Sequence, residues 1–255
     1  MTIRIGIAGI TGRMGRLLAE EVLAAGAELI GGIGLDAPEE RAFELFADIN
    51  ALATASDAVL DFTHASLAQS HAAALAASGK AWVLGTTGLS AADEAAVTAA
   101  GERIPVVYAS NFSPGVNLVL ALAERMAAAL PDDAYDAEIV EMHHRQKVDA
   151  PSGTAIAMGR AVAKGRGVSL DDKTESGRHG HTGARKTGAI GFAALRGGQV
   201  VGEHSLIFAA ASEQIVLTHR AFDRRVFATG AVRAALWAAN RPPRLYSMMD
   251  VLGMA

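Results

Sequence analysis

Between Glu141 and Ala155 the chain runs Glu-Met-His-His-Arg-Gln-Lys-Val-Asp-Ala-Pro-Ser-Gly-Thr-Ala, which concentrates two histidines, a lysine and a Pro-Ser-Gly-Thr turn. A histidine titrates near neutrality and can hand over a proton. Lys147 supplies a fixed positive charge. Pro151-Ser152-Gly153-Thr154 opens a predicted helix, so Ser152 can cap it while the N–H groups of Gly153 and Thr154 face an anion. A proton source beside an anion site is suited to a small carboxylate. On an extended strand His143 and His144 point to opposite faces and only one reaches a given ligand; if the strand gives way to a turn, both do. Neighbouring histidines without an evident third ligand do not make a zinc site, and no metal is expected. Taken alone, Lys147 reads equally well as a solvated lysine.

A second constellation stands at the N-terminus. Ile3 to Ala8 is a short apolar run with β-branched residues, and Arg16 to Ala25 has helical periodicity. Between them lies Gly9-Ile10-Thr11-Gly12-Arg13-Met14-Gly15. A glycine turn between strand and helix lets the backbone approach a pyrophosphate and aims the helix N-terminus at it. The GxxGxxG spacing alone is a weak signal, but its surroundings strengthen it. A second strand over Ala27 to Gly34 ends near Asp36, about 20 residues past the turn, where an acid meets ribose hydroxyls. Further strands at Ala58 to Phe62, Ala81 to Leu84 and Pro105 to Ala109 alternate with helices at Leu67 to Ala77 and Ala91 to Ala100. The alternation predicts a doubly wound parallel sheet of the Rossmann-like α/β class. Ligands bind such sheets at the carboxyl ends of the strands, which is where Asp61-Phe62-Thr63-His64, Gly85-Thr86-Thr87-Gly88 and Ser110-Asn111-Phe112-Ser113 fall. Asp36 favours NADH. Arg13, which reads equally as a solvated loop charge, leaves NADPH open.

From Pro114 the pattern changes. A helix over Gly115 to Leu130 is followed by a strand over Asp136 to Met142, a helix over Thr154 to Lys164 and a polar loop over Gly165 to Lys186. Strands at Ala189 to Leu195 and Val200 to Phe208, joined by Arg196-Gly197-Gly198-Gln199, read as a hairpin; Ile215 to His219 is another strand. This is a smaller α+β unit with a mixed sheet. Helical spacing returns after Asp223 and ends at Arg241-Pro242-Pro243. The expected domains are residues 1–113 with 224–255, binding a dinucleotide, and residues 114–223, binding substrate and mediating oligomerisation.

The bulk composition narrows the chemistry. The 255 residues carry a net charge of −4 and no cysteine. No basic stripe suggests nucleic acid, no apolar run is long enough to span a bilayer, and the N-terminal residues lack a signal-peptide pattern, so a cytoplasmic location is expected. Without cysteine there is no disulfide and no thiol nucleophile, which removes dehydrogenases that work through a thiohemiacetal. The two constellations together point to reduction of a small carboxylated, unsaturated substrate by NAD(P)H. Alternatives are another amino- or hydroxy-acid dehydrogenase, which would share the first domain, and a non-catalytic dinucleotide-binding redox sensor, which would not need the histidine–lysine cluster.

The glycine turn, Asp61-Phe62-Thr63, Gly85-Thr86-Thr87-Gly88, Ala109-Ser110-Asn111-Phe112-Ser113 and, most specifically, the segment from Glu141 to Ala155 resemble the dihydrodipicolinate reductase (4-hydroxy-tetrahydrodipicolinate reductase) family of the diaminopimelate–lysine pathway. The resemblance runs essentially end to end and includes Gly188 to Phe192, Val201-Gly202-Glu203-His204 and Phe227 to Arg233. It implies His143 as proton donor and Lys147 as a second catalytic residue. It further implies that His144, Gly153 and Thr154 bind a cyclic dicarboxylate, and that Gly9 to Met14, Gly85 to Thr87 and Ala109 to Phe112 hold NADH or NADPH. A cytoplasmic homotetramer joined through the substrate-domain sheets is also implied. Gly34-Leu35-Asp36 and His64 depart from the pattern of many relatives, and both bear on the choice between NADH and NADPH.

Overall fold

The computed structural model describes residues 2–35 and 43–254. The chain forms two compact units, Met1–Pro114 with Arg225–Ala255, and Gly115–Arg224. The first begins β1 (Arg4–Ala8), α1 (Arg13–Ala24), β2 (Glu28–Ile33), α2 (Ile49–Ala55), β3 (Ala58–Asp61), α3 (Ala68–Ser78), β4 (Ala81–Leu84), α4 (Ala91–Gly101) and β5 (Pro105–Tyr108). The second comprises α5 (Pro114–Ala129), β6 (Asp136–His143), α6 (Gly153–Arg166), α7 (Leu170–Lys173), β7 (Thr174–Ser176), β8 (Ile190–Arg196), β9 (Gly202–Ala209) and β10 (Gln214–Ala221). The chain then returns to the first unit with α8 (Arg225–Ala238), β11 (Arg244–Tyr246) and α9 (Met248–Leu252). Among the described residues no helix is long and apolar enough to cross a membrane.

The first sheet has the order β11-β5-β4-β3-β1-β2, with its strands parallel. Every residue of β3 and β4 is buried, because helices cover both faces and a strand in that position has no solvent side. Alternate residues serve alternate faces. Ile5, Ile7, Leu60 and Val83 pack with Leu18 and Val22 of α1 and with the alanine-rich α8. Val59, Trp82 and Leu84 pack with Leu52 of α2, Leu75 of α3 and Val97 of α4. From β1 the chain goes to β2 on one side and then crosses to β3 on the other. That reversal opens a crevice at the carboxyl ends of β1 and β3. The doubly wound parallel sheet expected from the sequence is present. It gains a strand that periodicity did not reveal: β11 is three residues long and joins the sheet edge beside β5.

The second sheet has the order β10-β9-β6-β8-β7 and is mixed, as expected: β6 runs parallel to β8 and antiparallel to β9. The hairpin expected at Arg196-Gly197-Gly198-Gln199 does not form, because β6 lies between β8 and β9. The glycine-rich connection instead crosses the carboxyl end of β6. There Gly197 N–H donates to the His143 carbonyl (2.9 Å) and His144 N–H donates to the Val200 carbonyl (2.8 Å). The stretch Gly165 to Lys186 is not wholly loop either; it carries the end of α6, then α7 and β7. Along β6 burial alternates, and Ala137, Ile139, Glu141 and His143 all fall on the buried face. Ala155, Met158 and Val162 of α6 join Ala137 and Ile139 in one core. Two polar side chains thus continue an apolar stripe, an arrangement that is stable only if they are fully hydrogen-bonded.

Candidate active site

In the first unit the turn after β1 is held by backbone hydrogen bonds from Gly9 N–H (2.8 Å) and Ile10 N–H (3.1 Å) to the Ile33 carbonyl. Gly9 has φ +87°, in the region that favours glycine. Gly12 occupies the N-cap of α1 with no side chain to satisfy the first N–H groups, and the first turn of α1 contains no acid. A Cβ on Gly15 would lie 2.1 Å from the Gly9 carbonyl oxygen and 2.6 Å from backbone atoms of Ile10. Three glycines therefore press the helix start against the turn and leave its N–H groups bare, which is what a pyrophosphate requires.

Neighbouring strand ends are tied to this turn. Asp61, fully buried at the end of β3, accepts from Thr63 Oγ1 (2.6 Å), His71 Nδ1 (2.8 Å) and Trp82 Nε1 (3.3 Å). This fixes the turn whose next residue, Phe62, lies beside Gly9: a Cβ on Gly9 would meet the Phe62 carbonyl oxygen at 3.1 Å. Thr86 Oγ1 donates to the Thr63 carbonyl (3.0 Å), and Gly85 leaves room for the Phe62 ring, whose atoms lie 2.3 Å from where a Cβ would stand. Phe62 and Phe112 pack with ring centroids 5.6 Å apart. Gly9 to Met14, Gly85 to Thr87 and Ala109 to Phe112 thus share one edge of the sheet. Asp36 lies outside the described residues.

In the second unit His143 ends β6 with 8% of its surface exposed, and Glu141, two residues earlier on the same face, has 1%. Arg196 grips both oxygens of Glu141: Nη1 donates to Oε2 (2.8 Å) and Nη2 to Oε1 (2.9 Å). Ser152 N–H also donates to Oε1 (3.1 Å). Burial alone would raise the Glu141 carboxyl, but Arg196, His143 and the Ser152 N–H outweigh it and hold the group below its ordinary range. Because the carboxylate is ionised, His143 Nδ1 must be the donor in their 2.6 Å contact. The other ring nitrogen, Nε2, lies beside Gly202, where a Cβ would stand 3.1 Å away.

Ser152 caps α6 through its Oγ, which accepts from Ala155 N–H (3.2 Å) and shares a 2.8 Å hydrogen bond with His204 Nε2. His204 packs edge-on to His143 at 5.0 Å between centroids. Burial, reinforced by the nearby His143, pushes His204 down to about 4. Gly153 is exposed, with nothing within 4 Å of where a Cβ would stand. Strand geometry ends at His143, and Lys147 N–H closes a turn onto the His144 carbonyl (3.1 Å). His144 Nδ1 is buried without a hydrogen-bond partner. Lys147 Nζ reaches both oxygens of Asp149 at 2.9 Å, which lowers the Asp149 carboxyl. The His143 and Ser152 regions are therefore joined through Glu141. Glu141, Arg196 and His204 were not singled out from the sequence, although the i, i+2 spacing of Glu141 and His143 is the strand signature of a shared face.

Known proteins match this chain along its whole length. The model for the dihydrodipicolinate reductase N-terminus matches residues 3–112 and that for the C-terminus matches residues 115–252. The chain belongs to the dihydrodipicolinate reductase family. The 4-hydroxy-tetrahydrodipicolinate reductase of Granulibacter bethesdensis is 67% identical over 255 residues, covering 99% of this chain and 98% of that protein. That of Gluconacetobacter diazotrophicus is 63% identical over 252 residues, again covering 99% and 98%. The solved structure of dipicolinate-bound dihydrodipicolinate reductase from Paenisporosarcina sp. TG-14 shares the fold with a TM-score of 0.81 at 24% identity, over 98% of this chain and 99% of that one.

Membership of the reductase family does not require an acid-labile core, but the burial of His204 imposes one. Its folded-state value near 4 lies below the ordinary 6.5. Between those two values the unfolded chain holds a proton that the folded chain lacks, so stability is lost as pH falls through that window. The loss is on the order of 2 kcal/mol by about pH 4.5, and the depressed Glu141 carboxyl acts in the same direction at lower pH. Urea denaturation of the intact chain at about pH 7 and pH 4.5 checks this. His204→Gln, which can still bond to Ser152, should flatten the dependence, and an equally steep variant would locate the effect elsewhere.

Proposed function

We propose that the chain reduces 4-hydroxy-tetrahydrodipicolinate (dihydrodipicolinate) to tetrahydrodipicolinate with NADH or NADPH, in the diaminopimelate route of lysine biosynthesis. The observation that carries this reading is the pinned His143. With Nδ1–H committed to Glu141, its Nε2 is the nitrogen left to exchange a proton, and it stands in the same network as the N-cap of α6.

The glycine turn fits a dinucleotide, since Gly12 leaves the N–H groups at the start of α1 uncapped. Gly9 to Met14, Gly85 to Thr87 and Ala109 to Phe112 would hold it, with Asp36 assigned to the ribose. When bound, the nicotinamide supplies hydride to the substrate. His143 then donates the proton that completes the reduction, from Nε2. His144 Nδ1, buried and unpartnered within the chain, is free to bond a substrate carboxylate oxygen. Gly153 and Thr154 present N–H groups of the α6 N-terminus to the same carboxylate class. Lys147 adds positive charge, released from Asp149 to stabilise the developing anion.

The small cyclic dicarboxylate is the substrate, the enzyme works in the cytoplasm, and four copies assemble through the second sheet. That sheet's face away from α6 carries Val140, Met142, Ile207 and Val216, which are partly or largely exposed. The purified chain is expected to oxidise NADH or NADPH only when supplied with enzymatically generated 4-hydroxy-tetrahydrodipicolinate. Absence of oxidation with both cofactors would sink the reading, and the ratio of the two rates would assign the preference.

A further inference from the structure

We infer that Glu141 is a positioning residue for His143: held by Arg196, it fixes the orientation and tautomer of the imidazole, so that Nε2 is the nitrogen that exchanges the proton. The inference rests on the role proposed above for His143. Glu141 has four acceptor positions, and all four are used: Ser152 N–H and Arg196 Nη2 at Oε1, Arg196 Nη1 and His143 Nδ1–H at Oε2. A carboxylate so filled cannot rotate without breaking one of these bonds, and it cannot take a proton without losing an acceptor site. The imidazole is therefore held in one orientation with its protonatable lone pair at Nε2. Arg196 is itself anchored, since Nη2 also donates to the Asp149 carbonyl (2.6 Å).

Glu141 and Arg196 act on His143 as one unit: the guanidinium holds the carboxylate and the carboxylate holds Nδ1–H. The His204 ring on β9 packs edge-on against this imidazole. The pair thus works as a holding device: the guanidinium fixes the carboxylate and the carboxylate fixes the ring. The same carboxylate holds the Ser152 N–H, so proton donor and α6 N-terminus are registered to one another.

The test reads the tautomer of the His143 ring by ¹⁵N NMR on the full-length protein, beside kcat and KM. In the unmodified chain the neutral ring should show Nδ1 protonated and Nε2 bare; the reverse tautomer overturns the inference without any variant. Glu141→Gln should let the Nε2-protonated tautomer appear and lower kcat at least about tenfold with KM little changed. Arg196→Gln, which leaves the carboxylate free to turn, should loosen the tautomer and lower kcat less. A scaffold role alone would lower activity without changing the tautomer, and a tautomer unchanged in both variants refutes the proposal. If Glu141→Gln does not fold, the tautomer of the unmodified chain and the Arg196→Gln spectrum decide. Because the ring is read directly, the outcome stands apart from whether His143→Gln abolishes turnover, which tests the function itself.

Discussion

Replacing His143 by glutamine is expected to cut turnover by about 10² to 10⁴, the usual contribution of a positioned general acid, while NADH or NADPH binding stays unchanged. Glutamine is close in size and can still hydrogen-bond Glu141, so the buried carboxylate keeps a partner and the fold survives. What it cannot do is deliver a proton. The loss should therefore appear in kcat and kcat/KM together, as for an interaction made only in the transition state. The glycine turn proposed to hold the cofactor lies in the other unit, tied by Asp61, Thr63 and Thr86, so the cofactor affinity has no reason to move. Single-turnover rates and a separate fluorescence titration of NADH check the two halves. Full turnover in the variant would remove His143 from its role.

Gly15→Ala should damage the other half about as severely. The added Cβ meets the Gly9 carbonyl oxygen at 2.1 Å and Ile10 at 2.6 Å, and those are backbone atoms that cannot swing aside like a flexible side chain. Overpacking of this kind costs about 1–3 kcal/mol. Relief requires α1 to move away from the turn, which withdraws its N–H groups from the phosphate position. A loss of 1.4 kcal/mol in binding is roughly tenfold in affinity, so a Kd for NADH or NADPH raised at least about tenfold is expected, together with a lower Tm. Unaltered affinity would mean that the helix start does not carry the pyrophosphate.

Much of this architecture was legible because it is local. The glycine turn, the strand–helix alternation and the helix start at Ser152-Gly153 all declare themselves within a few residues of sequence. The pairing of β6 did not. Gly197 and Gly198 have the composition of a tight hairpin turn, but composition reports that a chain bends and not which strand fills the gap. The link from Glu141 to Arg196 spans 55 residues, and no periodicity records it. β11 escaped because three residues beyond Pro242-Pro243 are too few to show alternation. His204 was visible only as part of a motif; its burial against His143 and Ser152 follows from the register in which β9 opposes Glu141 with His204.

The return of α8 to the first unit has a consequence for synthesis. Its Ala228, Ala231, Val232, Ala235 and Ala238 cover one face of the first sheet, yet they follow the entire second unit in the chain. At ribosomal rates of roughly 5–20 residues per second, the part of that face not covered by α1 waits roughly 6–26 seconds for α8 after β5 has emerged. The second unit, by contrast, has all its strands by Ala221. The unit holding His143 is therefore complete while the unit holding the glycine turn still has one face only partly covered on the nascent chain.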